Sequence, residues 1–65
     1  MLLKKGIVND GEYAGWEIQI LDDTEGGTGG FYLILSSKEA EIFDYWFEKR
    51  KFLDNQLADF NVEWN

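Results

Sequence analysis

The groups in this chain that could do chemistry are concentrated in ten residues, Asp22-Asp23-Thr24-Glu25-Gly26-Gly27-Thr28-Gly29-Gly30-Phe31, which hold three carboxylates and four glycines. Such a stretch can cradle a phosphate, hold a hard cation, or reverse the chain. A phosphate loop of the G-x-x-x-x-G-K-[ST] type needs a lysine for the phosphates and a helix after it. Here Gly30 leads into Phe31 and an apolar run, and no base appears until Lys38. A dinucleotide fingerprint must also open a helix, and the carboxylates of Asp22, Asp23, Glu25 and Asp44 would repel phosphate. The oxygens of Asp22, Asp23, Thr24 and Glu25 suit Ca²⁺, but their spacing departs from the D-x-[DN]-x-[DN]-G-x₅-E loop and no Glu closes it. A turn remains. Glycine adopts positive φ without steric cost, so the stretch reads as a hairpin loop that displays acids. Thr28-Gly29-Gly30 leads into the next strand, where small residues let a backbone or a bulky ring come close.

Chemistry elsewhere is sparse. The chain has no Cys and no His, which removes disulfides and the usual zinc, haem and iron–sulfur ligands, and no cofactor is expected. Paired carboxylates for glycoside chemistry need a cleft that 65 residues are too few to wall. Ser36 and Ser37 lack a His base and a G-x-S-x-G context, and read as cap or turn residues. Lys4, Lys5 and the run Lys49-Arg50-Lys51 read as solvated charges flanking apolar elements. The chain is therefore expected not to be an enzyme.

The charge is more telling. Thirteen acids against six bases give a net charge of −7, and residues 10–48 hold ten acids with Lys38 as their only base. Nucleic acids and anionic membranes need the opposite field. A basic protein partner would be drawn in, and its encounter rate raised. Acidity for solubility alone is the competing explanation. The N-terminus places a lysine pair behind three apolar residues, unlike a signal peptide, and no apolar run approaches a membrane span. A soluble, cytoplasmic protein is expected.

These groups need elements to position them. A single small domain, residues 1–65, buries only about 60% of the surface its unfolded chain exposes. With eleven aromatic residues, aromatic packing is expected to hold it together. LLKKGIV at 2–8 suits a first strand, and Asn9-Asp10-Gly11 a tight turn. WEIQIL at 16–21 alternates, with Trp16, Ile18 and Ile20 on one side and Glu17 and Gln19 on the other. FYLIL at 31–35 is apolar on both faces and reads as a central strand, joined to 16–21 as an antiparallel hairpin. Residues 38–49 admit two readings. As a helix they show a stripe of Ile42, Phe43, Trp46 and Phe47 behind a capping-box-like Ser36-Ser37-Lys38-Glu39. As a strand at 42–48, the preferred reading, Phe43, Tyr45 and Phe47 share a face. FLDNQLADF at 52–60 suits a short helix with Phe52, Leu53, Leu57 and Phe60 on its apolar side, and NVEW suits a last strand. The predicted fold is α+β: a small antiparallel sheet of three to five strands with one C-terminal helix packed on one face.

Gly15-Trp16, the acidic turn, Thr28-Gly29-Gly30-Phe31, Phe43-Asp44-Tyr45-Trp46 and Trp64 follow in an order that resembles small acidic immunity proteins of bacterial polymorphic-toxin systems. The resemblance spans most of the chain and implies a compact, non-catalytic protein that neutralises a cationic toxin by direct contact. No binding residues carry over, because such interfaces differ between cognate pairs. From the residues themselves, the candidate partner-binding set is Asp22, Asp23, Glu25, Asp44, Trp46 and Trp16, with acids steering encounter and exposed tryptophans anchoring it. Two alternatives stand beside this reading. One is an acidic DNA mimic that occupies a DNA-binding protein; the other is a homo-oligomeric structural domain, which would fit the aromatic excess.

Overall fold

Alternation of apolar and polar residues builds this molecule. The computed structural model describes residues 1–65 and contains β1 (Leu2–Val8), β2 (Glu17–Asp23), β3 (Gly30–Ser36), β4 (Ile42–Phe47), α1 (Arg50–Leu57) and β5 (Val62–Trp64). The strands form one sheet in the order β4-β3-β2-β1-β5, and every neighbouring pair is antiparallel. With α1 packed against β3 and β4, this is the α+β arrangement that the patterning predicts. No helix is long and apolar enough to cross a membrane.

The register sorts side chains onto two faces, because successive residues of a strand point opposite ways. One face carries Val8, Ile18, Ile20, Phe31, Leu33 and Leu35, which meet Leu53 of α1 and form the core. Ile18 pairs with Leu35 and Ile20 with Leu33, so the β2–β3 hairpin supplies the centre of that face. The buried core is aliphatic, with Phe31 its one aromatic member. Tyr13, Trp16, Phe47, Phe60 and Trp64 rim it. Tyr13, Trp16, Phe43 and Phe60 gather at one end, with Trp16 stacked on Phe43 at 5.6 Å between centroids. Aromatic mass therefore seals the small core rather than filling it.

Several boundaries differ from the sequence expectation. β2 continues through Asp22 and Asp23, which pair with Phe31 and Gly30 instead of lying in the loop. The hairpin loop is thus residues 24–29. Residues 42–47 form a strand, and the reason lies at Ser37. Its hydroxyl accepts the N–H groups of Glu39 at 3.2 Å and Glu41 at 3.1 Å, which closes a turn where a helical reading would have placed a cap. The helix starts at Arg50 and ends at Leu57, earlier than the 52–60 pattern suggested. Phe52 consequently faces solvent, while Phe60 packs on the core from beyond the helix end.

Candidate functional site

The second face of the sheet carries no helix, and its composition is uneven. Three rows of directly paired residues cross it. Leu2, Leu21, Tyr32 and Trp46 form one row, Lys5, Gln19, Ile34 and Asp44 the next, and Ile7, Glu17, Ser36 and Ile42 the third. Only the first row is apolar or aromatic along its whole length. Trp46 keeps 45% of its surface exposed at one end of this row, and Leu2 is exposed at the other. This row lies at the end of the sheet nearest the hairpin loop, since Asp23 and Gly30 form the adjoining pair.

Gly30 is the hinge between row and loop. A Cβ at this position would stand 2.5 Å from Trp46 Nε1 and 2.5 Å from the Phe47 carbonyl oxygen. The missing side chain lets the Trp46 indole lie over the strand at Gly30. The sequence reading anticipated a close approach at this point, and the ring that makes it is Trp46. The preceding Gly29 has φ +72°, a conformation that L side chains rarely adopt, so the loop closes there on glycine.

The loop does not display all its acids. Asp22 Oδ1 accepts the Thr24 hydroxyl at 2.6 Å and the Thr24 N–H at 2.9 Å. Asp23 Oδ2 accepts the Thr28 hydroxyl at 2.7 Å and its N–H at 3.3 Å. The two aspartates thus fasten the loop onto the strand ends, as Asx-type bonds commonly do. The Thr24 bonds, hydroxyl first, hold the Asp22 carboxyl below the ordinary carboxylate range. The terminal ammonium and Arg50 add smaller contributions in the same direction. Glu25 has no such bond and projects from the turn. The acids displayed around this corner include Glu25 in the loop and, one row from Trp46 on the same face, Asp44.

The six residues singled out from sequence divide accordingly. Asp23, Trp46 and Asp44 share one corner of the uncovered face, and Glu25 borders it. Asp22 is paired with Phe31, which puts it on the helix side of the sheet. Trp16 is separate. It is half-buried in the aromatic cluster at the far end, where it packs against the core and stacks on Phe43. Sequence reasoning missed Leu21, Tyr32 and Ile34. The signal was present in FYLIL, whose even positions are apolar although only the odd ones face the core. The largest concavity, about 340 Å³, lies between Trp16 and the Ser37–Glu41 turn, away from the acidic loop. No protein family, curated protein or solved structure matches this chain.

Proposed function

We propose that this protein is a non-catalytic binding protein that engages a basic protein partner with the uncovered face of its sheet. The observation that carries the reading is the row Leu2–Leu21–Tyr32–Trp46, an apolar stripe on an open face with Asp44 in the adjoining row and the acidic loop at its end. A half-exposed Trp surrounded by partly exposed apolar neighbours has the composition of an interface hot spot. The acids of residues 10–48 would steer a cationic partner to it. Neutralisation of a cationic bacterial toxin, as an immunity protein does, is the specific form of this function that the sequence resemblance favours. A DNA mimic is less well supported, because Asp22 and Asp23 spend their carboxylate oxygens on Thr24 and Thr28 instead of presenting them at a phosphate-like spacing.

The test is capture of partners from the native host on immobilised protein at low salt, followed by a salt gradient. A basic protein should elute as the Debye length falls from about 30 Å at 0.01 M to about 8 Å at 0.15 M. Trp46→Ala should speed its release, and Glu25→Lys with Asp44→Lys should slow its association. Recovery of no basic protein, or equal recovery on all variants, defeats the proposal.

A further inference from the structure

The two edges of the sheet are finished differently. β5 is three residues long, and short edge strands offer little to pair with. β4 is six residues, IFDYWF, and all but Phe47 are exposed. Its only charge is Asp44. The Ser37 N–H donates to the Glu41 carbonyl at 2.9 Å, so the backbone of Glu41 faces β3. By alternation, the N–H and C=O groups of Ile42, Asp44 and Trp46 face outward and are unpaired. An open, aromatic strand edge of this kind is a template for another strand.

The charges around β4 say which strand. Glu39 and Glu41 precede it, and Lys49, Arg50 and Lys51 follow it. The one ion pair in the structure is Arg50 with Asp54, which leaves Glu39, Glu41, Lys49 and Lys51 without salt-bridge partners in their own chain. The basic run also stands at the start of α1, whose first turn holds no acid. Cations at a helix N-terminus oppose the helix dipole, so local helix stability does not account for their placement.

We infer that β4 pairs antiparallel with β4 of a second copy, about a two-fold axis through Tyr45. A two-fold perpendicular to the sheet keeps each face continuous, so residues of equal parity must meet. Three central registers satisfy this. Centring on Asp44 sets two aspartates face to face, and centring on Trp46 sets Asp44 against Glu48 of the other copy. Like charges directly opposite are destabilising. Centring on Tyr45 avoids both. Tyr45 meets Tyr45, Phe43 meets Phe47, and Asp44 exchanges backbone hydrogen bonds with Trp46 of the other copy. The same register carries the Glu39 and Glu41 flank of each copy toward the Lys49 and Lys51 flank of the other. A chain of net charge −7 thereby meets itself at its only run of three bases. The resulting ten-stranded sheet joins the two uncovered faces, with Trp46 and Asp44 of both copies along the seam. The inference rests on the edge and its charges and needs no third partner.

Sedimentation equilibrium of the purified chain tests the assembly, and cysteine cross-linking tests the register. The chain has no native cysteine, so single introduced thiols report cleanly. Opposed residues in a non-hydrogen-bonded antiparallel pair have Cα atoms about 4.5 Å apart, which a disulfide spans. Tyr45→Cys should give a covalent dimer on mild oxidation, while Phe43→Cys and Phe47→Cys should not. Glu39→Lys with Glu41→Lys should weaken dimerisation by roughly tenfold or more, since four exposed ion pairs become repulsive. Adding Lys49→Glu and Lys51→Glu to that variant should restore it, because the exchanged flanks are again complementary. Asp44→Pro removes only an outward N–H and should give a folded monomer. A wild-type chain that sediments as a monomer at every concentration overturns the inference. So does a dimer whose cross-linking favours position 43 or 47, or one that the fourfold charge exchange fails to restore.

Discussion

The two faces of the sheet are built from the same strands, yet they differ in what their apolar residues do. On the covered face Ile18, Ile20, Leu33 and Leu35 are fully buried beneath Leu53. On the uncovered face Leu21, Tyr32 and Ile34 are half-buried by their neighbours alone, and Trp46 is half-exposed. The two tryptophans make the contrast concrete. Trp16 is clasped by Tyr13 and Phe43 at the rim of the core, whereas Trp46 lies over a glycine with solvent above it. An apolar residue on the first face is sealed into the core, and one on the second keeps part of its surface in solvent.

The difference predicts unequal costs for similar truncations. Leu33→Ala removes a fully buried side chain and should destabilise by about 2–5 kcal/mol, a large share of a small domain's stability. Trp16→Ala should come next, at about 2–3 kcal/mol, because the ring is only partly buried. Trp46→Ala should cost less than either, about 1 kcal/mol, and should show its main effect on partner release. Denaturant titration of the three variants checks the order. Equal destabilisation by Trp46→Ala and Leu33→Ala would erase the distinction between the faces.

The junction between the uncovered face and the loop can be probed at its glycines. Gly30→Val forces a side chain against Trp46 and the Phe47 carbonyl, and overpacking of this kind costs about 1–3 kcal/mol. Gly29→Val meets no neighbour but needs φ near +72°, a strain of about 1–3 kcal/mol. The two causes separate by substitution with alanine in a Trp46→Ala background. The smaller ring position should relieve part of the Gly30→Ala penalty and leave that of Gly29→Ala unchanged.

Smaller effects are expected in the turns. Ala40 carries φ +71° in the β3–β4 turn, and Ala40→Gly should stabilise by about 0.5–1 kcal/mol as that strain is relieved. In the acidic loop, Asp22 is held below the ordinary carboxylate range by Thr24. Its contribution to stability is complete above the unfolded-state pKa and is lost as the pH falls through the depressed folded value. Thr24→Val removes the hydroxyl bond and should move the Asp22 titration back toward the ordinary range, as read by NMR of its carboxyl carbon. An unmoved titration would mean that the Thr24 hydroxyl does not set it.

Period-two patterning alone determined much of this fold. The alternation of WEIQIL, the doubly apolar FYLIL and the glycines between them require a hairpin, because only a tight reversal lets both runs bury a common face. The β-favouring aromatics of IFDYWF pointed to a strand, and the Ser37 turn delivers it. Local pattern could not say where the strands stop. Asp22 and Asp23 look like loop residues until pairing with Phe31 and Gly30 draws them into the ladder, where the threonines occupy their carboxylates. Nor could it choose between the tryptophans. Trp16 and Trp46 have equal hydrophobicity, and which one is covered depends on where Tyr13 and Phe43 come to rest. The stacking of Phe43 on Trp16 joins segments more than twenty residues apart, and no local propensity encodes it. The same holds for the open edge. IFDYWF is an edge strand only because the chain turns into a helix after Phe47 and sends its last strand to β1, on the opposite side of the sheet.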